Sequence, residues 1–257
     1  MIGMKKWIFI FAMIFISSQV SAQTLHALLF INERESGREI DRKADMENMT
    51  KYFKKIADCI GYDFRLSKNS DMKFTAEQVN REINSLNIGK NDIVIFYYSG
   101  HGYNQGKNRW PTLNLNDKNY WLSDILNVLN PKTENAKLVL CVADCCNKGY
   151  NNASMPAETF NPISNDNMRE LFTGFTGKRT IIMSASKQGE YSWSDLRRGA
   201  FFGICLRSAI DSHTDNSVSS PTWTKVMSKA ISLTEWMSGY KQTPQYEIIN
   251  SADPFDD

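Results

Sequence analysis

Apolar residues come in two rhythms along this chain. Short, nearly unbroken runs at residues 25–32 (LHALLFIN), 92–98 (DIVIFYY), 138–143 (LVLCVA) and 180–184 (TIIMS) predict buried strands. Between them the apolar steps change to three and four. Over residues 45–60 they fall on Met46, Met49, Tyr52, Phe53, Ile56, Ala57 and Ile60, one face of a helix. The same spacing predicts helices over 75–86, capped by Thr75, and over 121–129, stopped by Asn130-Pro131. Further helices are expected over 200–210, after Gly199, and over 222–235. Residues 62–66 form a short second strand and 245–249 a closing one. Residues 33–43 are polar, contain Gly37 and read as a loop, and 102–111 are turn-rich. Residues 147–177 are polar and rich in Asn, Ser and Pro, apart from a helical patch near 168–172, and predict a long functional loop. Strands alternating with helices specify an α/β fold: a mainly parallel sheet of about six strands with helices on both faces. No internal repeat or second domain is visible.

Two of these strands run straight into reactive side chains. One continues as Ser99-Gly100-His101-Gly102, the other as Asp144-Cys145-Cys146-Asn147, with an interval of 45 residues (146 − 101) between the histidine and the second cysteine. Ligand chemistry in parallel sheets collects at the carboxyl ends of strands. An imidazole placed there beside a thiol can take its proton and leave a thiolate nucleophile at neutral pH. Gly100 and Gly102 permit a sharp turn and close approach of a substrate backbone. The amides of Gly102 and Cys146 are suitably placed to hold a tetrahedral oxyanion.

The first 22 residues change the picture of the core, because they do not belong to it. Lys5 and Lys6 precede a ten-residue apolar run at 7–16, followed by a polar stretch ending Val20-Ser21-Ala22. Such a sequence predicts a secretory signal cut before Gln23. Ten helical residues reach only ~15 Å, about half a bilayer core. Export to a periplasmic or extracellular destination follows, with no stable membrane insertion once the signal is gone. Removing Lys5 and Lys6 from 30 basic residues leaves 28 against 28 acidic ones, so the mature chain offers no electrostatic footprint for nucleic acid. The sequence is compatible with a monomer. The 42% apolar content is ample for one core. Five cysteines leave at least one thiol unbridged; Cys59, Cys141 and Cys205 lie in apolar segments and read as small buried hydrophobes. No CxxC or CxxH spacing suggests zinc, and the Asp residues are too scattered for a calcium loop, so no metal or cofactor is expected.

The two strand-end motifs, Tyr98-Ser99-Gly100-His101-Gly102 and Asp144-Cys145-Cys146, resemble those of the caspase–metacaspase family of cysteine peptidases. A third segment, Gly189-Glu190-Tyr191-Ser192-Trp193 followed by Gly199 and Ala200-Phe201-Phe202, is similar to animal caspases. The resemblance spans roughly residues 25–210. It implies a caspase-like three-layer sandwich and an endopeptidase working through a Cys–His dyad, acting on protein or peptide substrates by way of a thioester. The nucleophile is then Cys146, two residues after Asp144, and Cys145 is a filler. Asp144 and Ser99 match positions lining the primary specificity pocket, Asp45 matches a further carboxylate there, and Tyr191 and Trp193 match a neighbouring subsite. Cleavage of the chain itself is expected within 147–179, between the nucleophile strand and the next.

The chain also departs from the family pattern. The Gln-Ala-Cys of animal caspases is absent, and Asn147-Lys148-Gly149 replaces the His-Ser-Gly common in metacaspases. The anion-binding arginine of animal caspases falls on Ser194, next to Asp195, which turns the expected preference toward Arg or Lys; Arg38 and Arg42 pull the other way. Three other readings stay open: a clostripain-, gingipain- or legumain-like or Asp-specific peptidase of the same fold, an inactive caspase-like binding module, and a thiol-redox protein using Cys145 and Cys146.

Overall fold

Residues of alternate parity in the apolar runs face opposite ways, and helices cover both faces. The computed structural model describes residues 22–34, 37, 39–104, 108–147 and 162–249. The elements in chain order are β1 (Thr24–Ile31), α1 (Glu39–Ile60), β2 (Asp63–Asn69), α2 (Ala76–Ser85), β3 (Ile93–Ser99), β4 (Gly102–Tyr103), β5 (Thr112–Asn114), β6 (Asn119–Trp121), α3 (Leu122–Lys132) and β7 (Leu138–Asp144). They continue with α4 (Asn165–Thr173), β8 (Arg179–Ser184), β9 (Ser194–Asp195), β10 (Gly199–Ala200), α5 (Phe201–His213), α6 (Trp223–Met237) and β11 (Gln245–Ile249). The main sheet has six strands in the order β11-β8-β7-β3-β1-β2, all parallel except β11, which pairs antiparallel with β8.

The odd residues of β1 and β3 (Leu25, Ala27, Leu29, Ile31; Ile93, Ile95, Tyr97) pack with Leu138, Leu140 and Val142 of β7 against α1, α4, α5 and α6. Their even neighbours (Leu28, Phe30; Val94, Phe96, Tyr98) join Val139, Cys141 and Ala143 under α2 and α3. Burial on both faces is why these strands read as unbroken apolar runs. A central strand cannot be pared down cheaply: truncating a buried Phe such as Phe96 typically costs ~3–5 kcal/mol. Thr75 caps α2 as expected, its side chain accepting from the Gln78 amide.

Three expectations are corrected. The stretch 33–43 is not all loop, because α1 starts at Glu39. Its buried stripe begins with charged residues, Asp41, Arg42 and Asp45, before it turns apolar at Met46 and Met49. A hydrophobic period cannot see that first turn. The region after His101 also holds a small three-stranded antiparallel sheet, β4-β5-β6, whose strands of two or three residues are too short to show a period. Helix α3 carries Pro131 inside its last turn rather than stopping before it. Part of the expected long loop is the helix α4; residues 148–161 lie outside the described residues, as do the N-terminal segment 1–21 and Arg38.

Candidate active site

Strands β3 and β7 are parallel neighbours, and Ser99 pairs with Asp144 at their carboxyl ends. Counting two residues past each end reaches His101 on one strand and Cys146 on the other. Neighbouring strands are ~4.8 Å apart, so this register brings His101 and Cys146 to the same sheet edge. Both line a single pocket, together with Arg42, Gly100, Asp144, Cys145, Ser192, Trp193, Ser194 and Ala200.

Each turn is held from behind. The His101 carbonyl accepts from the Asn114 amide at 3.0 Å and lies 2.5 Å from the Tyr98 hydroxyl. Gly102 packs so closely against the other strand end that a Cβ there would fall 2.3 Å from Cys145 Sγ and 2.6 Å from the Cys146 carbonyl oxygen. That close approach makes glycine necessary at this position. Cys145 is itself buried, and burial raises its thiol pKa well above the ordinary range, so it stays protonated and inert. Cys146 is partly exposed, and its Sγ is 3.3 Å from the Ser192 amide nitrogen and 3.5 Å from the Ser192 carbonyl oxygen.

Ser192 belongs to the segment that follows β8, and several bonds fold that segment over Cys146. The Asn147 amide donates to the Glu190 carbonyl at 3.0 Å, and the Gly189 amide to the Asn147 carbonyl at 3.2 Å. Fully buried Gln242 fastens the segment from the far side: its side-chain oxygen accepts from the Trp193 amide at 2.9 Å, and its amide donates to the Ala185 carbonyl at 2.9 Å. Trp193 lines the pocket; Tyr191, half-buried, packs beside it against the cluster of Phe201, Cys205 and Met237. Neither Gln242 nor the anchoring role of Asn147 was legible in the sequence. Gln242 lies far along the chain from both strand-end motifs, and Asn147 had only its place after Cys146.

The pocket floor is charged. Ser99 and Asp144 lie one pleat below the dyad on the face that meets α1 and α5. Asp144 accepts from the Gly203 amide at 2.6 Å and from the Tyr97 hydroxyl at 3.1 Å. Asp45 accepts from Ser99 Oγ at 2.6 Å and from the Ala200 amide at 2.8 Å. Both carboxylates therefore sit at the amino end of α5, where free N–H groups and the helix dipole favour negative charge. Burial nevertheless raises both: Asp144 to about 7, helped by the nearby Asp45 charge, and Asp45 in the same direction against the pull of Arg42. Gly199, at φ +95°, leaves no room for a side chain beside Asp45, since a Cβ would lie 2.0 Å from its Oδ1. Arg42, 6% exposed, reaches into this floor, donating to Ser99 Oγ at 2.9 Å and lying 3.7 Å from Asp45 Oδ2. Next to it, Asp41 accepts from the Arg42 amide at 3.1 Å and from Ser194 Oγ at 2.6 Å. Of the residues assigned to the primary pocket, Asp144 reaches the lining, while Ser99 and Asp45 stand behind Arg42. No three His, Cys, Asp or Glu side chains among the described residues cluster as a metal site.

Comparison with known proteins places this geometry. A family model described as the caspase domain, peptidase C14, matches residues 26–255. The fold is similar to the crystal structure of caspase-1 from Spodoptera frugiperda, at 13% identity and a TM-score of 0.58, covering 88% of each chain. It is also similar to a protein from Geobacter sulfurreducens, at 16% identity and a TM-score of 0.52, covering 90% of this chain and 95% of that one. No curated protein matches the chain.

Proposed function

Because this chain belongs to the caspase-domain family, we propose that it is a cysteine endopeptidase driven by Cys146 and His101. The observation that carries the proposal is the Ser99–Asp144 pairing, which brings the two residues to adjacent strand ends around one pocket. In the proposed reaction the Cys146 proton passes to the His101 imidazole, and the thiolate adds to the scissile carbonyl carbon. The resulting oxyanion is held by the Gly102 and Cys146 amides. The imidazolium then protonates the departing amine as the C–N bond breaks, leaving a thioester on Cys146. Water gives a proton to His101 and adds to the thioester carbonyl, the carboxylic acid product leaves, and the thiolate is regenerated.

The preferred residue before the cut bond is Arg or Lys. Asp144 lines the pocket and Asp45 stands just behind it, and a basic side chain entering the pocket needs such a partner to replace lost water. A panel of fluorogenic peptides ending in Arg, Lys, Asp or Asn, run with and without calcium, tests both parts. Expected are turnover of the Arg and Lys peptides, no calcium requirement, total loss in Cys146→Ala and retention of most activity in Cys145→Ala. His101→Ala is expected to lose activity nearly as fully as Cys146→Ala, because the dyad acts as a unit. Strong turnover of Asp peptides with none of Arg peptides would refute the basic preference; an active Cys146→Ala would refute the peptidase assignment.

The N-terminal segment is proposed to direct export, on the strength of Lys5-Lys6, the apolar run after them and the small residues at 20–22. Sequencing the amino terminus of exported protein should then begin at Gln23. Exported protein that still starts at Met1 would overturn this.

A further inference from the structure

The pocket that should receive a basic side chain already contains one. The Arg42 guanidinium donates to Ser99 Oγ at 2.9 Å, lies 3.7 Å from Asp45 Oδ2, and shares the pocket lining with Asp144, His101 and Cys146. Ser99, Asp45 and Asp144 are the residues expected to recognise a substrate's Arg or Lys. With Arg42 in place the free volume of the pocket is ≈ 10 Å³, about enough for a single water molecule. A basic side chain reaching for Ser99 and Asp45 would meet the Arg42 guanidinium already bonded there.

Arg42 is also poorly placed to act as a receptor for an acidic side chain. An incoming carboxylate would face Asp45 and Asp144 together, and like charges brought into one buried site oppose each other. Arg42 projects from the first turn of α1, on a long side chain that can change rotamer while the helix stays put. Asp45 would keep its Ser99 hydroxyl and Ala200 amide after such a change.

We infer that Arg42 is a specificity-determining residue that occupies the primary pocket as an internal stand-in for a basic substrate side chain, so that Arg and Lys substrates bind by displacing it. The inference rests on the peptidase reading with basic preference. Exchange of one guanidinium for another preserves the pocket's hydrogen bonds and charge balance. Occupancy by Arg42 weakens apparent substrate affinity by the fraction of molecules in which the pocket is open.

The test measures kcat and KM separately for an Arg peptide and an Asp peptide in wild type, Arg42→Ala and Arg42→Met. The Met variant keeps the aliphatic length without the charge, so folding of at least one variant, checked by its melting transition, does not depend on filling the site with water. Expected is a fall in KM for the Arg peptide of at least ~10-fold with a smaller change in kcat, no gain for the Asp peptide, and inhibition of the variants by added ethylguanidinium, which refills the vacated position. An unchanged KM for the Arg peptide would overturn the inference. So would wild-type cleavage of Asp peptides that disappears in both variants, which would make Arg42 an anion receptor. Alkylation of Cys146 by iodoacetamide reports the reactivity of the thiol without any peptide side chain entering the pocket. If the thiol is inert in wild type and variants alike, the peptidase reading has failed; if it reacts while KM stays fixed, only the inference about Arg42 has.

Discussion

Asp144 ties the stability of the fold to the candidate pocket that it lines. It is fully buried, two positions before Cys146, and its pKa is raised by burial and then by Asp45 to about 7 from an ordinary 3.8. Between those values the folded chain holds a proton there that the unfolded chain has released. Stability tied to this group is therefore complete below about pH 4 and is lost as pH rises through about 7. A tenfold change in proton affinity is worth ~1.4 kcal/mol, so the loss is on the order of a few kcal/mol, shared with Asp45 and moderated by Arg42. Urea titrations from about pH 4 to 8 should show this decline in wild type and a flatter profile in Asp144→Asn, which can still accept from the Gly203 amide. An identical decline in both proteins would contradict the account. At this scale the sequence was partly legible. His101, Cys146 and Asp144 stood out because each ends an apolar run, whereas Arg42 showed only as a cation of unknown direction, since nothing local says which way a long side chain turns.

At the scale of elements, the site depends on two strand ends and one helix start. The strand ends were legible because a central parallel strand buries both faces and shows itself as a continuous apolar run. The first turn of α1 was not, because its buried positions are Asp41 and Arg42, charged residues that no hydrophobic period picks up. The same reasoning sharpens the expectation for processing of the chain. Arg169 lies within α4, and Arg179 starts the buried strand β8 with its amide donating to the Lys137 carbonyl, so the backbone at these two residues is held in regular structure. Cuts between β7 and β8 should therefore favour Lys148 over Arg169 and Arg179, by another copy of the enzyme or another protease. Fragment masses after purification or mild proteolysis check this; a primary cut at Arg169 or Arg179 with the remaining fold intact would contradict it.

Across the whole molecule, one mainly parallel sheet with helices on both faces carries the site on its carboxyl edge, and among the described residues no helix is long and apolar enough to cross a membrane. The architecture was legible from the alternation of strand and helix rhythms. The order β11-β8-β7-β3-β1-β2 was not, because local periodicity carries no information on which strands become neighbours. That order is decisive, since it makes β3 and β7 adjacent and turns two distant motifs into one pair. The central claim is that this pair makes Cys146, and not Cys145 beside it, the nucleophile. The direct measurement is to react the protein with a peptidyl chloromethyl ketone ending in Arg and map the adduct by mass spectrometry, in wild type and in folded His101→Ala. The account predicts one adduct, on Cys146, forming rapidly in wild type and at least ~100-fold more slowly without the imidazole. An adduct on Cys145, or equally fast labelling of Cys146 in His101→Ala, would contradict it.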